Sequence, residues 1–302
     1  MQNNKIKNKY RIPFIIFAIV PPLISALLFY GYVNFSSFFM AFMDKNGVWG
    51  LDNFTRLIKE FQMPSSDIRL ALINTLITFA VLVISYPFKV LVSYFIYKKI
   101  PFYKFYRLVF FLPTLIFSVC VSLMFQRAVG PTGIIAEIVG KLAGLDYVPE
   151  LLADSRFANT VVLIHMVWLA FPGELLIWGG VFSRIPDEVL EAGRIDGTTW
   201  ITEFTKVIVP MVWPTLSIQV VMLFAGIFSS TGQVFLLTGG AHDTITISSW
   251  MYLQVQQNSL GAYNSNVYNY LSAVGLTYTA IAVPLALGIR KLAGKMNNDV
   301  EF

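Results

Sequence analysis

Six stretches of this chain contain no Asp, Glu, Lys or Arg, and their lengths decide what it can fold into. They are residues 12–43, 70–88, 108–126, 157–173, 211–242 and 244–289. A helix that rises 1.5 Å per residue needs about 20 apolar residues to cross about 30 Å of hydrocarbon. Only 13% of the residues are charged and 56% are hydrophobic, whereas roughly 25% of a soluble domain is charged. We therefore expect an all-α integral membrane protein and exclude a soluble fold.

The uncharged stretches predict six transmembrane helices in a single membrane domain that covers residues 1–302. The stretch at 244–289 is expected to supply one span only, because its first half is rich in Gln, Asn and Ser. We interpret the first stretch as a retained span rather than a signal peptide, because it is too long for an h-region and is interrupted by Pro21 and Pro22. The predicted spans are residues 12–35, 70–97, 107–127, 157–183, 210–236 and 267–289.

The segment at residues 128–156, between the third and fourth predicted spans, carries apolar residues at a helical period. A short helix on the outer surface fits this period best, and a plain loop is the alternative. The apolar residues are Ile134, Ile135, Ile138, Val139 and Leu142.

The orientation in the membrane follows from the positive charges in alternate segments. Fourteen Lys and Arg residues fall on the side that holds both termini and the loop 184–210, and seven fall on the other side. Since cytoplasmic segments carry the excess of positive charge, both termini and this loop are expected in the cytoplasm. The basic residues form no groove-binding cluster, so we expect no nucleic-acid partner.

The sequence lacks the residue patterns of most enzymes. His165 and His242 lie far apart without a carboxylate or cysteine at metal-ligand spacing, so no metal site is expected. The Gly-Lys pairs at residues 140–141 and 294–295 do not continue as a P-loop. We therefore do not expect an enzyme, and if the protein pumps a solute, another subunit must supply the energy.

The loop at residues 184–210 predicts a helix, a glycine turn and a second helix. Asp187 and Glu188 follow Pro186, which suits the positive end of a helix beginning there. Gly197 interrupts the pattern where the chain must reverse. Such short helices can dock into a groove of a partner, although a solvated loop fits the pattern equally well. The second helix carries an apolar stripe made of Trp200, Ile201, Phe204, Val207 and Ile208.

A spacing motif in this loop identifies a family resemblance. Glu191-Ala192-Gly193, three residues, Gly197, nine residues and then Val207-x-Val209-Pro210 resembles the signature E-A-A-x3-G-x9-I-x-L-P of permeases in binding-protein-dependent ABC importers. Gly193 replaces the second alanine, and valines replace Ile and Leu. The sequence of residues 185–197, IPDEVLEAGRIDG, is similar to the corresponding sequences of the carbohydrate-uptake, maltose permease-like branch of this family.

Weaker matches to the same family follow in order along most of the chain. Residues 237–240 stand where members often carry L-T-x-G-G-P, with Ala241 in place of the proline. Residues 268–275 are similar to the family's Y-G-x-A-S-A-x-G, with Asn269 in place of the first glycine. The remaining matches are residues 50–54, Asn74-Thr75-Leu76, and Arg107 with residues 110–113.

The resemblance implies the six-helix fold of type I ABC importer permeases, as a multi-pass protein in the inner membrane of a bacterial or archaeal cell. It also implies the partners: a second homologous permease, two ATPase subunits that hold ATP and Mg, and an extracytoplasmic binding protein that delivers the solute. This chain itself would bind no cofactor. ATP-driven closure of the ATPases would switch the spans between inward- and outward-facing states. The residues expected at the ATPase are Glu191, Ala192, Gly193, Asp196, Gly197 and Pro210.

Polar residues in the last two predicted spans are candidates for solute contact, because polar groups within a bilayer are costly. Gly226, Ser229, Ser230 and Gln233 fall on one face of the fifth predicted helix. A second stripe, in the sixth, holds Asn266, Asn269, Tyr270, Ala273 and Thr277. Trp168 could stack on a sugar ring, although a packing or interfacial role fits it too. Packing between helices, where small and polar residues also collect, is the alternative for both stripes.

Two charges lie at similar depth inside predicted spans. Lys89 comes nine residues before Lys98, and Glu174 ten before Arg184, which places both about 13–15 Å from the cytoplasmic edge. We expect an ion pair between them, because a lone charge at that depth is costly. The alternatives are a water-filled cavity around each charge, or a Lys89 side chain that reaches toward the cytoplasm.

The sequence therefore favours a permease that imports a sugar or oligosaccharide. Its expected partners are the proteins above and membrane lipid. A neutral sugar is favoured because no Lys or Arg faces a pathway in the fifth or sixth predicted span. A permease of the same family for another solute, such as a glycerol phosphate, is one alternative. A membrane-embedded enzyme or an autonomous secondary transporter built around Glu174 is another, although it leaves the loop at Glu191 unexplained.

Overall fold

The structure, a computed structural model, describes residues 2–144, 150–229, 232–261 and 264–295. Within these ranges the regular secondary structure is helical, and β structure is limited to one isolated bridge between Met43 and Trp49. This confirms the expected fold class. The helices are α1 (Gln2–Ser25), α2 (Val33–Ala41), α3 (Asp52–Gln62), α4 (Asp67–Tyr97), α5 (Tyr103–Leu115), α6 (Ser118–Val129), α7 (Ile134–Ala143), α8 (Ala158–Phe182), α9 (Asp187–Ile195), α10 (Trp200–Glu203), α11 (Val209–Ala225), α12 (Gly232–Thr238), α13 (Ile247–Leu260) and α14 (Ser265–Lys295).

Six helical segments of the described chain are long and apolar enough to cross a membrane, which confirms a multi-pass membrane protein. Four of them match the first, second, fourth and sixth predicted spans. Short π-helical segments continue the first and fifth, at Ala26–Tyr32 and Phe204–Ile208. The segments are Pro13–Ala41, Asp67–Tyr97, Ser118–Leu142, Ala158–Phe182, Trp200–Ala225 and Ser265–Lys295.

The prediction of one continuous third span at 107–127 is wrong. Helix α5 ends at Leu115, Ile116 has extended backbone angles (φ −107°, ψ 142°), and α6 begins at Ser118. Pro113 lies in the last turn of α5; it has no N–H to donate, and its ring crowds the preceding turn. The hydropathy of this stretch does not register such a backbone break.

The prediction of a fifth span reaching residue 236 is also wrong. Helix α11 ends at Ala225, and the amide of Ser229 donates to the carbonyl of Gly226 at 2.9 Å in a turn. A separate helix, α12, then begins at Gly232. Gly226, Ser229 and Gln233 therefore do not share one helical face, and Ser230 lies outside the described residues. The span instead begins earlier than predicted, at Trp200.

The polar segment between the fifth and sixth spans forms a helix that the sequence reasoning did not place. Helix α13 covers 14 residues, short of the roughly 20 that a membrane crossing needs. Segment 128–156 contains a helix, α7, as expected, and its place on the outer surface stays a prediction; residues 145–149 of that segment lie outside the described ranges.

The chain divides into two compact units, one of residues 1–60 and 254–279 and the other of residues 61–253 and 280–302. In the first unit, aromatic rings join α2 to the turn and helix that follow it: Phe39 meets Trp49 at 5.5 Å between centroids, and Phe42 meets Phe54 at 5.2 Å. The side chain of Asn53 fixes the same turn by donating to the carbonyls of Ala41 and Met43, at 3.1 and 2.8 Å.

The core of the second unit lies where α4 packs along α8. Large aromatic side chains fill it, and Tyr94, Trp178 and Phe182 are fully buried. The core extends into the loop at residues 184–210 through residues of α9 and the start of α11, so this loop packs on the same body as the two spans. The buried members are Tyr86, Val90, Tyr94, Trp178, Phe182, Ile185, Leu190, Ile208 and Val212.

Candidate coupling site and solute pathway

The loop with the spacing motif folds as a helix, a turn and a second helix, as the sequence predicts. Helix α9 begins at Asp187, after Pro186, and Gly197 has a left-handed backbone (φ +70°) that a side chain would strain. Thr199 caps α10, and its hydroxyl accepts a hydrogen bond from the amide of Thr202 at 3.4 Å. The hydroxyl of Thr198 donates to the carbonyl of Gly193 at 2.8 Å and closes the turn.

The motif residues on α9 differ in exposure. Glu191, Ala192, Asp196 and Gly197 are exposed, whereas Gly193 is buried beneath Thr198. A Cβ at position 193 would lie 3.2 Å from the Thr198 hydroxyl, closer than ordinary van der Waals contact. The glycine at this position, where the resembling family carries alanine, therefore fits the way Thr198 covers it. The exposed motif residues are free to meet another protein.

An ion pair that the sequence reasoning missed ties this loop to a span. Lys98 Nζ lies 2.7 and 3.0 Å from the two carboxylate oxygens of Glu203, and the Glu203 side chain is 7% exposed. Aromatic contacts flank the pair: Trp200 meets Phe95 at 5.2 Å. The partners are 105 residues apart in the chain, so no local spacing could have indicated the pair. In the sequence, Lys98 entered only the count of positive charges on the side expected to be cytoplasmic.

The apolar stripe on the second helix is divided between two roles. Ile208 is completely buried in the core, and the Phe204 ring meets Tyr94 at 5.1 Å. Trp200 and Ile201 are instead about half exposed, at 50% and 54%. The stripe therefore anchors the loop on one side and presents apolar surface on the other.

Asn74 and Thr75, noted in the sequence for their resemblance, hold a segment that precedes α13. Asn74 Nδ2 donates to the carbonyls of Asp243 and Ile245, at 2.6 and 3.0 Å. The Thr75 hydroxyl accepts from the amide of Ile247 at 3.0 Å. Residues 239–243 include four with a left-handed backbone, Gly239, Gly240, His242 and Asp243. The hydrogen bonds from α4 hold this irregular segment in place. The role of Asn74 and Thr75 is therefore structural.

In the first unit, two of the expected pathway residues are held by hydrogen bonds. Tyr270 is 3% exposed; its hydroxyl donates to Glu60 at 2.5 Å, and the Arg56 guanidinium lies 4.1 Å from its ring centroid. Asn269 donates to the carbonyl of Asp44 at 3.3 Å. Donation from the amides of Asn46 and Val48 lowers the pKa of Asp44 itself. These contacts favour packing over solute contact for both residues.

In the second unit, the other expected pathway residues are more accessible. Trp168 is 37% exposed, and its ring meets Phe125 and His165 at 6.1 and 5.9 Å. Gln233 is half-buried on α12, and Ser229 is exposed in the turn after α11. The aromatic neighbours fix one face of Trp168, and the indole remains partly accessible.

Lys89 and Glu174 lie on α4 and α8, the two helices that pack together in the second unit. Lys89 is 3% exposed, and each charge acts electrostatically on the other. Among the described residues, no ion pair within 4.0 Å joins them, and none donates a hydrogen bond to Glu174 Oε2, which is buried. The expected contact is therefore not closed in this conformation.

Comparison with known proteins agrees with the resemblance seen in the sequence. No family model matches the chain. It is 25% identical over 265 residues to MsmF, the multiple sugar-binding transport system permease protein of Streptococcus mutans, with 85% of this chain and 87% of that protein covered. It is 33% identical to the maltose/maltodextrin permease protein MalF of Vibrio parahaemolyticus over 47% of this chain, and 28% identical to the probable ABC transporter permease protein YurN of Bacillus subtilis over 61%. The chain spans 27% of that MalF and 61% of YurN.

The fold also matches a solved transporter. A chain of a bacterial alginate ABC transporter, in complex with an alginate pentasaccharide-bound periplasmic protein, superposes with a TM-score of 0.78 over 96% of this chain and 97% of that chain, at 19% identity. The likeness confirms the expected permease fold.

Proposed function

We propose that this chain, a homologue of the permease subunits of sugar ABC transporters, forms half of the translocation pathway of an ATP-driven importer. The observation that carries the proposal is the loop of α9 and α10, which presents Glu191, Ala192 and Asp196 outward and is joined to the core of two spans. Relatives named as sugar permeases cover most of the chain, and they support a carbohydrate as the solute.

The partners follow from this role. A second permease would complete the pathway, two ATPase subunits would bind and hydrolyse ATP with Mg, and a binding protein would deliver the solute from outside. The solved alginate transporter contains a periplasmic protein, which supports this kind of partner. Both termini and the coupling loop would face the cytoplasm, as the distribution of positive charge indicates. The chain itself would carry no cofactor.

The second unit has the parts needed to transmit motion from an ATPase to the spans. The exposed side of α9 would lie in a cleft of the ATPase, while Leu190 and Ile208 are buried with residues of α4 and α8. The Lys98–Glu203 pair fixes the second half of the loop to the end of α4. Because a packed core moves as a body, displacement of the loop would displace these spans and change access to the pathway.

The solute would be a neutral sugar or oligosaccharide. Gln233, Ser229 and Trp168 offer the amide, hydroxyl and aromatic face that sugars use, and all three are accessible; Ser230, which lies outside the described residues, belongs to the same proposal. Asn269 and Tyr270 would enter the pathway only if their present hydrogen bonds opened. The absence of Lys and Arg from residues 211–242 and 244–289 argues against an anionic solute.

The proposal is tested by ATP hydrolysis in proteoliposomes that contain this chain, its partner permease, the ATPase and the binding protein. The chain would be wild type, Glu191→Lys or Glu188→Lys. Both glutamates are exposed on α9, but only Glu191 belongs to the motif. We expect maltodextrins or galactooligosaccharides to stimulate hydrolysis at least tenfold, with the stimulation lost in Glu191→Lys and kept in Glu188→Lys.

Alginate oligosaccharides and glycerol phosphate form the control arms of this assay. Stimulation by alginate or glycerol phosphate alone would reject the neutral-sugar proposal but keep the importer. Equal activity of the two charge-reversed variants would reject the coupling role of Glu191. A chain that never associates with an ATPase would reject the importer itself and favour an autonomous transporter built around Glu174.

A further inference from the structure

The second unit contains a cavity that has no part in the proposed coupling or solute pathway. It has a volume of about 420 Å³, within the range of small-molecule sites, and it opens where α4, α5 and α8 approach one another. Its lining residues are Ser93, Ile96, Tyr97, Lys99, Tyr103, Arg107, Phe111, Leu175, Gly179, Gly180 and Ser183.

The polarity of the lining changes along the helices. On α5 the lining residues Tyr103, Arg107 and Phe111 recur every four residues, so they share one face and extend over about 12 Å. The polar end of the cavity therefore lies at the start of α5, near Lys99 in the turn that follows α4. The other end carries Phe111 of α5 and Leu175 of α8. A ligand that fits this gradient has a charged head and an apolar body.

The charged lining of the cavity is entirely positive. Of the described residues that line it, Lys99 and Arg107 are the charged ones, and neither forms an ion pair within 4.0 Å with any described residue. Two carboxylates, Asp187 and Glu203, act on the neighbouring Tyr97. Glu203 is already paired with Lys98, whereas Asp187 has no ion pair within 4.0 Å among the described residues. Two cations facing a cavity with hydroxyl donors form a site for an anion.

Backbone features keep this site open. Gly179 and Gly180 lie on the cavity wall of α8, and a Cβ added to either would meet no atom within 4 Å. Lys99 holds a left-handed backbone angle (φ +55°) in the tight turn between α4 and α5, a conformation that is unfavourable for a residue with a side chain. Through this turn Lys99 joins Arg107 in the lining of the cavity.

We propose that this cavity binds a phosphate group between Lys99 and Arg107, and that the source which its polarity gradient fits is the headgroup of an anionic phospholipid. The cytoplasmic leaflet supplies such lipids, and basic pockets between spans at that leaflet suit their headgroups. The lipid source rests on the proposed orientation, whereas the phosphate site rests on the cavity alone. Phe111 and Leu175 would contact the first carbons of an acyl chain.

The test measures binding to the purified full-length chain in detergent, with no ATPase present, so its result is independent of the coupling proposal. The probes are phosphatidylglycerol, phosphatidylcholine and inorganic phosphate, and bound molecules are counted by native mass spectrometry. Arg107→Gln and Lys99→Gln remove the two cations. Lys104→Gln is the matched control, because Lys104 is an exposed cation on the same helix that does not line the cavity. Gly180→Leu fills the cavity without changing a charge.

We expect one phosphatidylglycerol to bind at least tenfold more tightly than phosphatidylcholine. Arg107→Gln and Gly180→Leu should each weaken it tenfold or more, and Lys104→Gln less than twofold. Inorganic phosphate that binds with the same dependence on Arg107, and displaces the lipid, would assign the site to a soluble anion. Equal weakening by Lys104→Gln and Arg107→Gln, or full binding in Gly180→Leu, would overturn the proposal, since the attraction would then be a general property of the basic surface.

Discussion

At the scale of single residues, the Lys98–Glu203 pair joins the coupling loop to a span. We expect Lys98→Ala to lower the free energy of unfolding by about 2 kcal/mol, because it leaves a carboxylate that is 7% exposed without its partner. Thermal unfolding of the purified chain in detergent would measure this.

Lys98→Arg should keep most of the stability, and Lys104→Ala, at an exposed and unpaired position, should change it by less than 0.5 kcal/mol or so. In the reconstituted importer, Lys98→Ala should reduce solute-stimulated hydrolysis more than basal hydrolysis. A stable but uncoupled Lys98→Ala variant would point to transmission alone. Unchanged stability and coupling would show that the pair is dispensable.

Lys89 and Glu174 carry opposite charges on the neighbouring helices α4 and α8. We propose that they form an ion pair in another state of the transport cycle, because each charge acts on the other across the α4–α8 interface without contact in this structure. Lys89→Glu and Glu174→Lys should each reduce expression and solute uptake several-fold, since each places two like charges near one another.

The double variant Lys89→Glu with Glu174→Lys restores opposite charges, and we expect it to recover most of the uptake. Uptake by proteoliposomes and the amount of folded protein would be measured together. Recovery of neither quantity would reject the pair and favour independent hydration of the two charges.

Tyr270 distinguishes packing from solute contact. Tyr270→Phe removes the hydroxyl that donates to Glu60, and we expect a loss of about 1–2 kcal/mol in stability, since hydrogen bonds to charged groups are worth more than neutral ones. The solute concentration that gives half-maximal uptake should stay within twofold of wild type. A tenfold rise in that concentration with unchanged stability would assign Tyr270 to the pathway instead.

At the scale of elements, single glycines decide where helices can begin. A Cβ at Gly133, which precedes α7, would lie 2.2 Å from the carbonyl oxygen of Ala128 and 2.4 Å from that of Arg127. Because backbone atoms cannot give way as side chains can, Gly133→Ala must displace α7 or the end of α6. We expect a destabilisation of about 1–3 kcal/mol, the range for overpacking, measured by thermal unfolding in detergent.

The matched variant is Gly173→Ala, in α8. A Cβ there would meet no atom within 4 Å, and alanine favours a helix interior over glycine. Its stability should equal or exceed that of wild type. Similar melting temperatures for Gly133→Ala and wild type would show that the α6–α7 turn is pliable.

Two helices end within apolar stretches where hydropathy predicts no end. Hydropathy predicted the third and fifth spans as continuous, whereas α5 ends at Leu115, two residues after Pro113, and α11 ends at Ala225, just before Gly226. A proline or glycine within an apolar run can be carried inside a helix, as Pro87 is in α4 and Pro172 in α8. Which of them ends a helix depends on the packing around it, and a one-dimensional pattern does not contain that information.

At the scale of the whole molecule, the orientation in the membrane is testable with cysteines. The chain has one native cysteine, so Cys120→Ser gives a background without thiols. In that background we expect a membrane-impermeant maleimide to label Asn46→Cys in intact cells and Glu188→Cys only after permeabilisation, because positive charge is concentrated on the Glu188 side. Both positions are exposed.

Gel-shift counting of labelled protein would provide the measurement, with the cysteine-free chain as the blank. Labelling of both positions in intact cells would indicate leaky cells and is checked with a cytoplasmic marker protein. Labelling of Glu188→Cys alone would invert the orientation, and the coupling proposal would fail with it.

The amino-acid sequence was sufficient to predict the class of this molecule and the place of the loop that we propose for coupling. Uncharged runs longer than a bilayer crossing leave a chain no soluble fold, and the spacing from Glu191 to Pro210 is a local pattern that a sequence displays directly. Helix α9, the turn at Gly197 and the start of α10 are each fixed by neighbouring residues, so local rules were sufficient there.

Which polar residues have partners depends on how the helices pack in three dimensions. Tyr270 was expected in the pathway, yet it is held by Glu60 and Arg56, 210 and 214 positions away. The Lys98–Glu203 pair also joins residues far apart in the chain, and the cavity beside Lys99 and Arg107 is completed by α8, which lies far from them in the chain. Polarity within a span shows that a group needs a partner, but the identity of the partner depends on how the helices pack, which hydropathy and spacing do not record.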